Sequence, residues 1–191
     1  MQESCDVVYK IPGDGLCAIN AAAAHMYEDE VFGPSLRMEM NKHILKYSSY
    51  YENKGYCASE KVPFERKIGG GQIVKFNSNI SLFDWLKNSK DSVFMWSDSE
   101  DLLVLCNMFQ FKICVLTTFS GPSRLPSKHW IHPDPDMADK ALMTPGQVPD
   151  IRLLHANDSH FNLIVSKESR LEKDGSVSHR TKRQVILEKQ S

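Results

Sequence analysis

A tight turn that leads straight into a helix of small residues is the feature that most constrains this chain. Pro12, Gly13 and Gly15 let the backbone bend sharply and let another group approach it closely. Cys17 follows the turn at once, and residues 18–24 are mostly alanine, the strongest helix former. The stretch therefore predicts a cysteine at the start of a helix whose side chains are mostly small.

We expect this helix to run from about Leu16 to Met26, with the sulfur of Cys17 in its first turn. Unpaired backbone N–H groups and the positive end of the helix dipole favour a thiolate there over a thiol. The amides of the same turn can form an oxyanion hole, so the position suits a nucleophile. The alternative is a structural cysteine in an alanine-rich helix, because free cysteines are often buried.

Two short apolar segments near the end of the chain are expected to form a pair of strands. They are residues 150–155 and 160–165, and a polar turn separates them. Side chains two apart on a strand share a face, so His160 and Asn162 point the same way while Phe161 points the other way. Two polar side chains are thereby placed side by side at the start of a strand.

His160 and Asn162 meet the needs of a cysteine nucleophile. Such a nucleophile needs a base, and the base needs a group that orients its other ring nitrogen. His160 is the candidate base and Asn162 the candidate orienting group, while the turn residues Asn157 and Asp158 are further candidates for the second role. The alternative is a histidine at a hairpin mouth with an ordinary polar neighbour.

Taken together, the two stretches resemble the OTU (ovarian tumour) family of cysteine proteases, which are deubiquitinating enzymes. The family's Asp-Gly-x-Cys turn stands here at residues 14–17, and its His-aromatic-[Asn/Asp] strand stands at residues 160–162. A third segment is also similar, since Trp96 precedes an acidic-capped helix at residues 98–109 and a strand at residues 111–116. We expect Ser97 or Asp98 to cap that helix.

The resemblance spans residues from about 9 to 166, with two departures from the usual motif. The family usually has Asn where Leu16 stands and a bulky residue where Ala18 stands. These departures fit a divergent branch of the family, such as a viral one, better than a common cellular branch.

The resemblance implies an α+β fold of the α/β cysteine-protease type, in which a small, mostly antiparallel sheet packs between helices. It also implies that Asp14 shapes the turn on its oxyanion side. The predicted site comprises the catalytic residues Cys17, His160, Asn162 and Asp14 and an oxyanion loop at Gly15 and Leu16.

Two aromatic residues are candidate contacts for the substrate. Trp130 lies in a proline-rich connection at residues 120–149, which we expect to be irregular, and long loops near active sites often form binding surfaces. Phe161 lies between the candidate base and its orienting group. The alternative for Trp130 is that its side chain packs in the core and does not contact the substrate.

The remaining histidines give no second site. His25 lies eight positions after Cys17, too far along the helix to reach the sulfur, and we expect His43 at the surface or rim. His129 and His132 lie near two aspartates, but no cysteine or fixed ligand spacing supports a metal. We predict neither a metal nor a cofactor.

Composition limits the class of protein. With 191 residues and 41% hydrophobic content, the chain suits one domain at 1–166 and a charged tail or linker at 167–191. A net charge of −1 gives no support to a nucleic-acid partner. Five cysteines without a CxxC pair suit a reducing compartment, and no run is apolar enough for a membrane span. We expect a cytoplasmic monomer, in the host cytosol if the protein is viral.

Three functions are compatible with these features. The leading one is a thiol isopeptidase that cleaves after the C-terminal Gly-Gly of ubiquitin or a ubiquitin-like modifier, with ubiquitin and its conjugates as partners. The second keeps the catalytic pair but processes a polyprotein. The third is a ubiquitin-binding module with a decayed active site, which the joint presence of Cys17, His160 and Asn162 disfavours.

Overall fold

The computed structural model describes residues 7–56, 64–77, 81–118, 127–156 and 160–165. The predicted tail at 167–191 and the turn residues Asn157 and Asp158 lie outside these ranges. The helices are α1 (Cys17–Tyr27), α2 (Gly33–Lys46), α3 (Ser48–Asn53), α4 (Leu82–Asn88) and α5 (Ser99–Phe109). The strands are β1 (Val7–Tyr9), β2 (Phe64–Lys67), β3 (Ile73–Phe76), β4 (Ile113–Thr118), β5 (Ser127–Ile131), β6 (Ile151–Ala156) and β7 (His160–Val165).

The main sheet has five strands in the order β1-β7-β6-β4-β5. Neighbouring strands run antiparallel except β4 and β6, which are parallel, and β2 and β3 form a separate hairpin. The expected α+β class with a mostly antiparallel sheet is confirmed. Since β7 lies between β1 and β6, the last described strand joins the two ends of the described chain in one sheet.

Helix α1 packs on β7 and β6 and is buried along most of its length. Ala18, Ala21 and Ala23 have no exposed surface, because their small side chains let the helix approach the sheet closely. The helix ends at Tyr27, and Glu28 follows in the left-handed conformation. The helix predicted from about Leu16 to Met26 is confirmed.

Helix α5 begins with a capping box. The Asp98 side chain accepts from the backbone N–H groups of Glu100 and Asp101, and the Asp101 side chain accepts from the Asp98 N–H. Asp98, and not Ser97, is therefore the cap of this helix.

A buried ion pair joins α2 to α5. Arg37 of α2 is fully buried and donates to both carboxylate oxygens of Asp101, at 2.6 and 2.9 Å. Its guanidinium also donates to the Met95 carbonyl at 2.8 Å, and the Tyr56 hydroxyl donates to Asp101 at 2.7 Å. The pair fixes the segment before α5 against α2, although the Arg37 Nε atom has no partner among the described residues.

Two expectations for the rest of the chain are wrong. His43 is buried, 6% exposed, between the rings of Tyr47 and Tyr51, because it faces into a cluster of tyrosines. The connection at residues 120–149 is not wholly irregular, since β5 pairs along the edge of β4. No helix among the described ranges is long and apolar enough to cross a membrane.

Candidate active site

The turn before α1 needs a glycine at position 15 for two separate reasons. Gly15 has φ +89°, a left-handed conformation that residues with a Cβ rarely adopt. The Trp96 indole also lies directly over it, so that a Cβ on Gly15 would fall 2.2 Å from the indole Cδ1 and Nε1 atoms. The turn and the segment before α5 are therefore in direct contact.

Asp14 holds the turn through its carboxylate. One oxygen accepts from the Leu16 N–H at 2.9 Å, and the Asn20 side-chain amide donates to both oxygens at 3.1 and 3.0 Å. Asn20 in turn lies against Gly33 of α2, where a Cβ would be 1.8 Å from the Asn20 Oδ1 atom. Asn20 and Gly33 are thus part of the support of the turn, and no sequence motif indicates either of them.

Cys17 is the first residue of α1 and is 4% exposed. The Phe161 backbone N–H donates to its sulfur at 3.4 Å. Burial raises the pKa of the Cys17 thiol, against the lowering effect of the Phe161 and Ala18 amides and the Ser97 hydroxyl, while the Asp14 charge raises it further. The direction is opposite to that expected from the helix terminus alone, because desolvation outweighs the lowering effects of these three polar groups.

His160 begins β7 and lies beside the same turn. A Cβ on Gly13 would be 3.7 Å from the His160 Nδ1 atom and 3.8 Å from Cε1, so the ring rests against the Gly13 backbone. The next residue, Phe161, makes the amide contact to the Cys17 sulfur. The structure therefore brings the predicted nucleophile and the predicted base to one place.

Asn162 lies two residues beyond His160 in β7, on the same face of the strand. Its Oδ1 atom accepts from the Ile11 backbone N–H at 3.1 Å, which fixes the amide against the segment that precedes the turn. A carbonyl oxygen has two lone pairs, so the same atom can accept a second hydrogen bond. Asn162 is thus anchored on the face of β7 that carries His160.

The two predicted substrate contacts lie in different surroundings. The Phe161 ring is 7% exposed and stacks on His155 with ring centroids 4.4 Å apart, so its side chain belongs to the core and only its amide reaches the site. The prediction for this ring is therefore wrong, because it faces away from His160. Trp130 is 42% exposed on β5, three strands across the sheet from β7.

Solved structures of known proteins resemble this fold over most of its length. The OTU domain of human OTUD1 has a TM-score of 0.58 at 15% identity, covering 84% of this chain and 86% of that one. This chain has the OTU fold. The Hazara virus OTU bound to ubiquitin has a TM-score of 0.52 at 12% identity, covering 84% of this chain and 81% of its own.

A bacterial OTU domain gives a similar result. The OTU deubiquitinase from Wolbachia pipientis wMel, bound to ubiquitin, has a TM-score of 0.51 at 12% identity, covering 85% of this chain and 97% of its own. No protein-family model matches the sequence, and no curated protein matches it significantly. At these identities the likeness establishes the OTU fold alone, and a viral origin stays a prediction.

Within the OTU fold, no metal centre is evident in the part of the chain that the structure describes. No three or more His, Cys, Asp or Glu side chains there are grouped so that they could hold an ion. Of the two aspartates near His132, Asp134 is instead bonded to Tyr50 and Lys54, at 2.8 and 2.7 Å. The described site is made of the thiol, the imidazole and the amides around them.

Proposed function

We propose that the protein is a thiol-dependent deubiquitinase that hydrolyses the bond after the C-terminal Gly-Gly of ubiquitin or a ubiquitin-like modifier. The observation that carries the proposal is the contact between the Phe161 amide and the Cys17 sulfur, which holds β7 and His160 at the N-terminus of α1. OTU domains with the same fold have been solved in complex with ubiquitin, which supports a function of the deubiquitinase type.

In the proposed reaction His160 takes the proton of the Cys17 thiol as the sulfur attacks the carbonyl of the last glycine. The negative charge of the tetrahedral intermediate is stabilised by backbone amides of the turn, each contributing roughly 3 kcal/mol to the lowering of the barrier. The intermediate collapses with loss of the substrate amine, which takes its proton from His160. Water then attacks the thioester, with His160 as base, and frees the glycine carboxylate and the thiol.

The burial of the sulfur favours a substrate with a narrow tail. Cys17 is 4% exposed, and burial raises the pKa of its thiol. Two glycines carry no side chains, so a Gly-Gly terminus can approach a recessed sulfur more closely than an ordinary peptide can. The same recess disfavours reaction with bulky peptide sequences.

The proposal is tested by cleavage of a fluorogenic amide of the ubiquitin C-terminus. We expect the wild-type protein to release the fluorophore and the Cys17→Ala and His160→Ala variants to have lost this activity. His129→Ala is the matched control, since His129 is exposed on β5, and it should retain wild-type activity. A wild-type protein that binds ubiquitin but neither cleaves the amide nor reacts with a ubiquitin-based electrophile would contradict the proposal.

A further inference from the structure

The first turn of α1 receives no cap from its own sequence. Leu16 occupies the N-cap position and has no side chain that can accept a hydrogen bond, and no acidic residue lies in the first turn. A helix terminus in a buried site needs partners for its N–H groups. The nucleophile helix must therefore take its cap from elsewhere in the chain.

Ser97 supplies that cap from 79 residues away. Its hydroxyl oxygen accepts from the Ala18 N–H, the second amide of α1, at 3.3 Å. Because Asp98 caps α5, the Ser97 hydroxyl is not used at the helix that directly follows it. The serine caps a distant helix instead of its own.

Ser97 also holds the turn that precedes α1. Its hydroxyl donates to the Gly15 carbonyl at 3.2 Å, and its backbone N–H donates to the same oxygen at 2.8 Å. Gly15 and Ala18 lie on either side of Cys17 in the sequence. Ser97 therefore contacts the backbone on both sides of Cys17.

The segment that carries Ser97 is itself firmly held. The Trp96 N–H donates to the Lys67 carbonyl at 2.8 Å, the Met95 carbonyl accepts from the buried Arg37, and Asp98 pairs with Arg66. A hydroxyl on such a segment has little freedom to move away from the turn. The site thus gains a fixed donor and acceptor beside the sulfur.

The Ser97 hydroxyl also acts on the sulfur. It lowers the pKa of the Cys17 thiol, together with the Phe161 and Ala18 amides, against the larger raising effect of burial. Its contact with the Ala18 N–H has the further effect of fixing one of those amides in place. Loss of the hydroxyl would remove its own lowering effect on the pKa of the Cys17 thiol and would leave the Ala18 N–H without its Ser97 acceptor.

We propose that Ser97 is a positioning residue of the candidate active site. It caps α1 from a distant segment of the same chain and fixes the turn from which Cys17 attacks. The expected effect of Ser97 on turnover rests on the proposed function. The expected effect of Ser97 on the reactivity of the Cys17 thiol needs no substrate, so turnover and thiol reactivity can be measured separately.

The experiment compares Ser97→Ala, Ser97→Thr and the wild-type protein, with Ser99→Ala as the matched control because Ser99 is exposed at the start of α5. The rate at which iodoacetamide alkylates Cys17 is followed against pH by mass spectrometry of the peptide that contains Cys17. Turnover of the ubiquitin amide and thermal unfolding are measured on the same samples.

We expect Ser97→Ala to raise the pH midpoint of Cys17 alkylation, because the hydroxyl that lowers the pKa of the thiol is then absent. We also expect it to lower kcat by about tenfold or more with little change in KM, because the lost contacts orient the nucleophile and not the bound modifier. Ser97→Thr keeps the hydroxyl and should restore most of both properties. Ser99→Ala should match the wild type.

Two results would overturn the proposal. One is an alkylation profile for Ser97→Ala that coincides with that of the wild type, whatever happens to its melting temperature. The other is a Ser97→Thr variant that is as impaired as Ser97→Ala while both remain folded. If the wild type does not cleave the ubiquitin amide but the alkylation midpoint shifts as expected, the proposed function fails while the role of Ser97 stands.

Discussion

A single side-chain amide, that of Asn20, donates to both carboxylate oxygens of Asp14, at 3.1 and 3.0 Å. Asn20 is one helical turn beyond Cys17 on α1, so the helix holds the loop that precedes it. The space for this side chain exists because Gly33 of α2 has no Cβ. The geometry of the turn therefore depends on a residue in a different helix.

Gly33→Ala should destabilise the protein and lower its activity, even though alanine is the better helix former by about 1 kcal/mol. Gly33 has φ −53°, so the substitution strains no backbone angle, but the new methyl group would overlap Asn20. We expect a lower melting temperature and a lower kcat on the ubiquitin amide. Ser35→Ala, at an exposed position in the first turn of the same helix, is the control.

Gly33→Ala should no longer destabilise the protein when Asn20 has already been replaced by alanine. In an Asn20→Ala background, Gly33→Ala no longer meets a side-chain amide, so the helix propensity gain should appear instead. A double-mutant cycle by chemical denaturation measures this coupling. Additive effects of the two substitutions would show that Gly33 acts through some contact other than Asn20.

Gly15→Ala is expected to abolish activity and to cost more stability than backbone strain alone can explain. Gly146 provides the comparison, since it has φ +83° with nothing within 4 Å of its Cβ position, whereas Gly15 has φ +89° under the Trp96 indole. Strain at a positive φ costs roughly 1–2 kcal/mol in either case. Equal losses of unfolding free energy in Gly15→Ala and Gly146→Ala would argue against the overlap with Trp96.

Asp14→Asn should shift the alkylation of Cys17 to lower pH. The negative charge of Asp14 raises the pKa of the thiol, and asparagine removes that charge while it keeps an acceptor for the Leu16 N–H. The measurement is again the rate of iodoacetamide alkylation against pH. Asp139→Asn, at an exposed position in Pro135–Lys140, controls for the change in net charge, and a shift as large in that variant would exclude a local effect.

The unfolding free energy should fall in mild acid because His43 is buried. Burial lowers the pKa of His43 from 6.5 to about 4, with a smaller contribution from Lys46, so the unfolded chain binds a proton before the folded one does. Stability is unaffected above pH 6.5 and falls as the pH drops from there toward 4, by at most about 1.4 kcal/mol per pH unit.

The measurement is the unfolding free energy by urea titration at several pH values. His43→Gln should flatten the dependence within this window, while the exposed His129→Gln should leave it as it is in the wild type. An unchanged slope in His43→Gln would assign the acid sensitivity to other groups.

The elements that carry the site were predictable because their signals are local. A glycine turn before Cys17 indicates α1, a cap at Ser97 or Asp98 with acidic residues after it indicates α5, and alternation around His160 indicates β7. Each of these signals lies within about a dozen residues of sequence. Local backbone preference and tertiary packing agree at these positions.

The supports of the site were not predictable, because each depends on two segments that are distant in sequence. Arg37 lies fully buried only because Asp101, 64 residues later, neutralises its charge, and a charge on a helix otherwise indicates a surface position. Ser97 reads equally well as a cap for its own helix. Strand β5 shows no alternation of burial, since four of its five residues are exposed, and only its pairing with β4 makes it a strand.

The position of β7 in the sheet has a consequence for synthesis of the protein. The sulfur of Cys17 and the amide of Phe161 are 144 residues apart in sequence, and β7 must insert between β1 and β6 before they can meet. A nascent chain on the ribosome therefore carries the thiol long before it carries the imidazole. The site proposed here can therefore be assembled only late in synthesis, and a chain that ends before β7 holds Cys17 without His160.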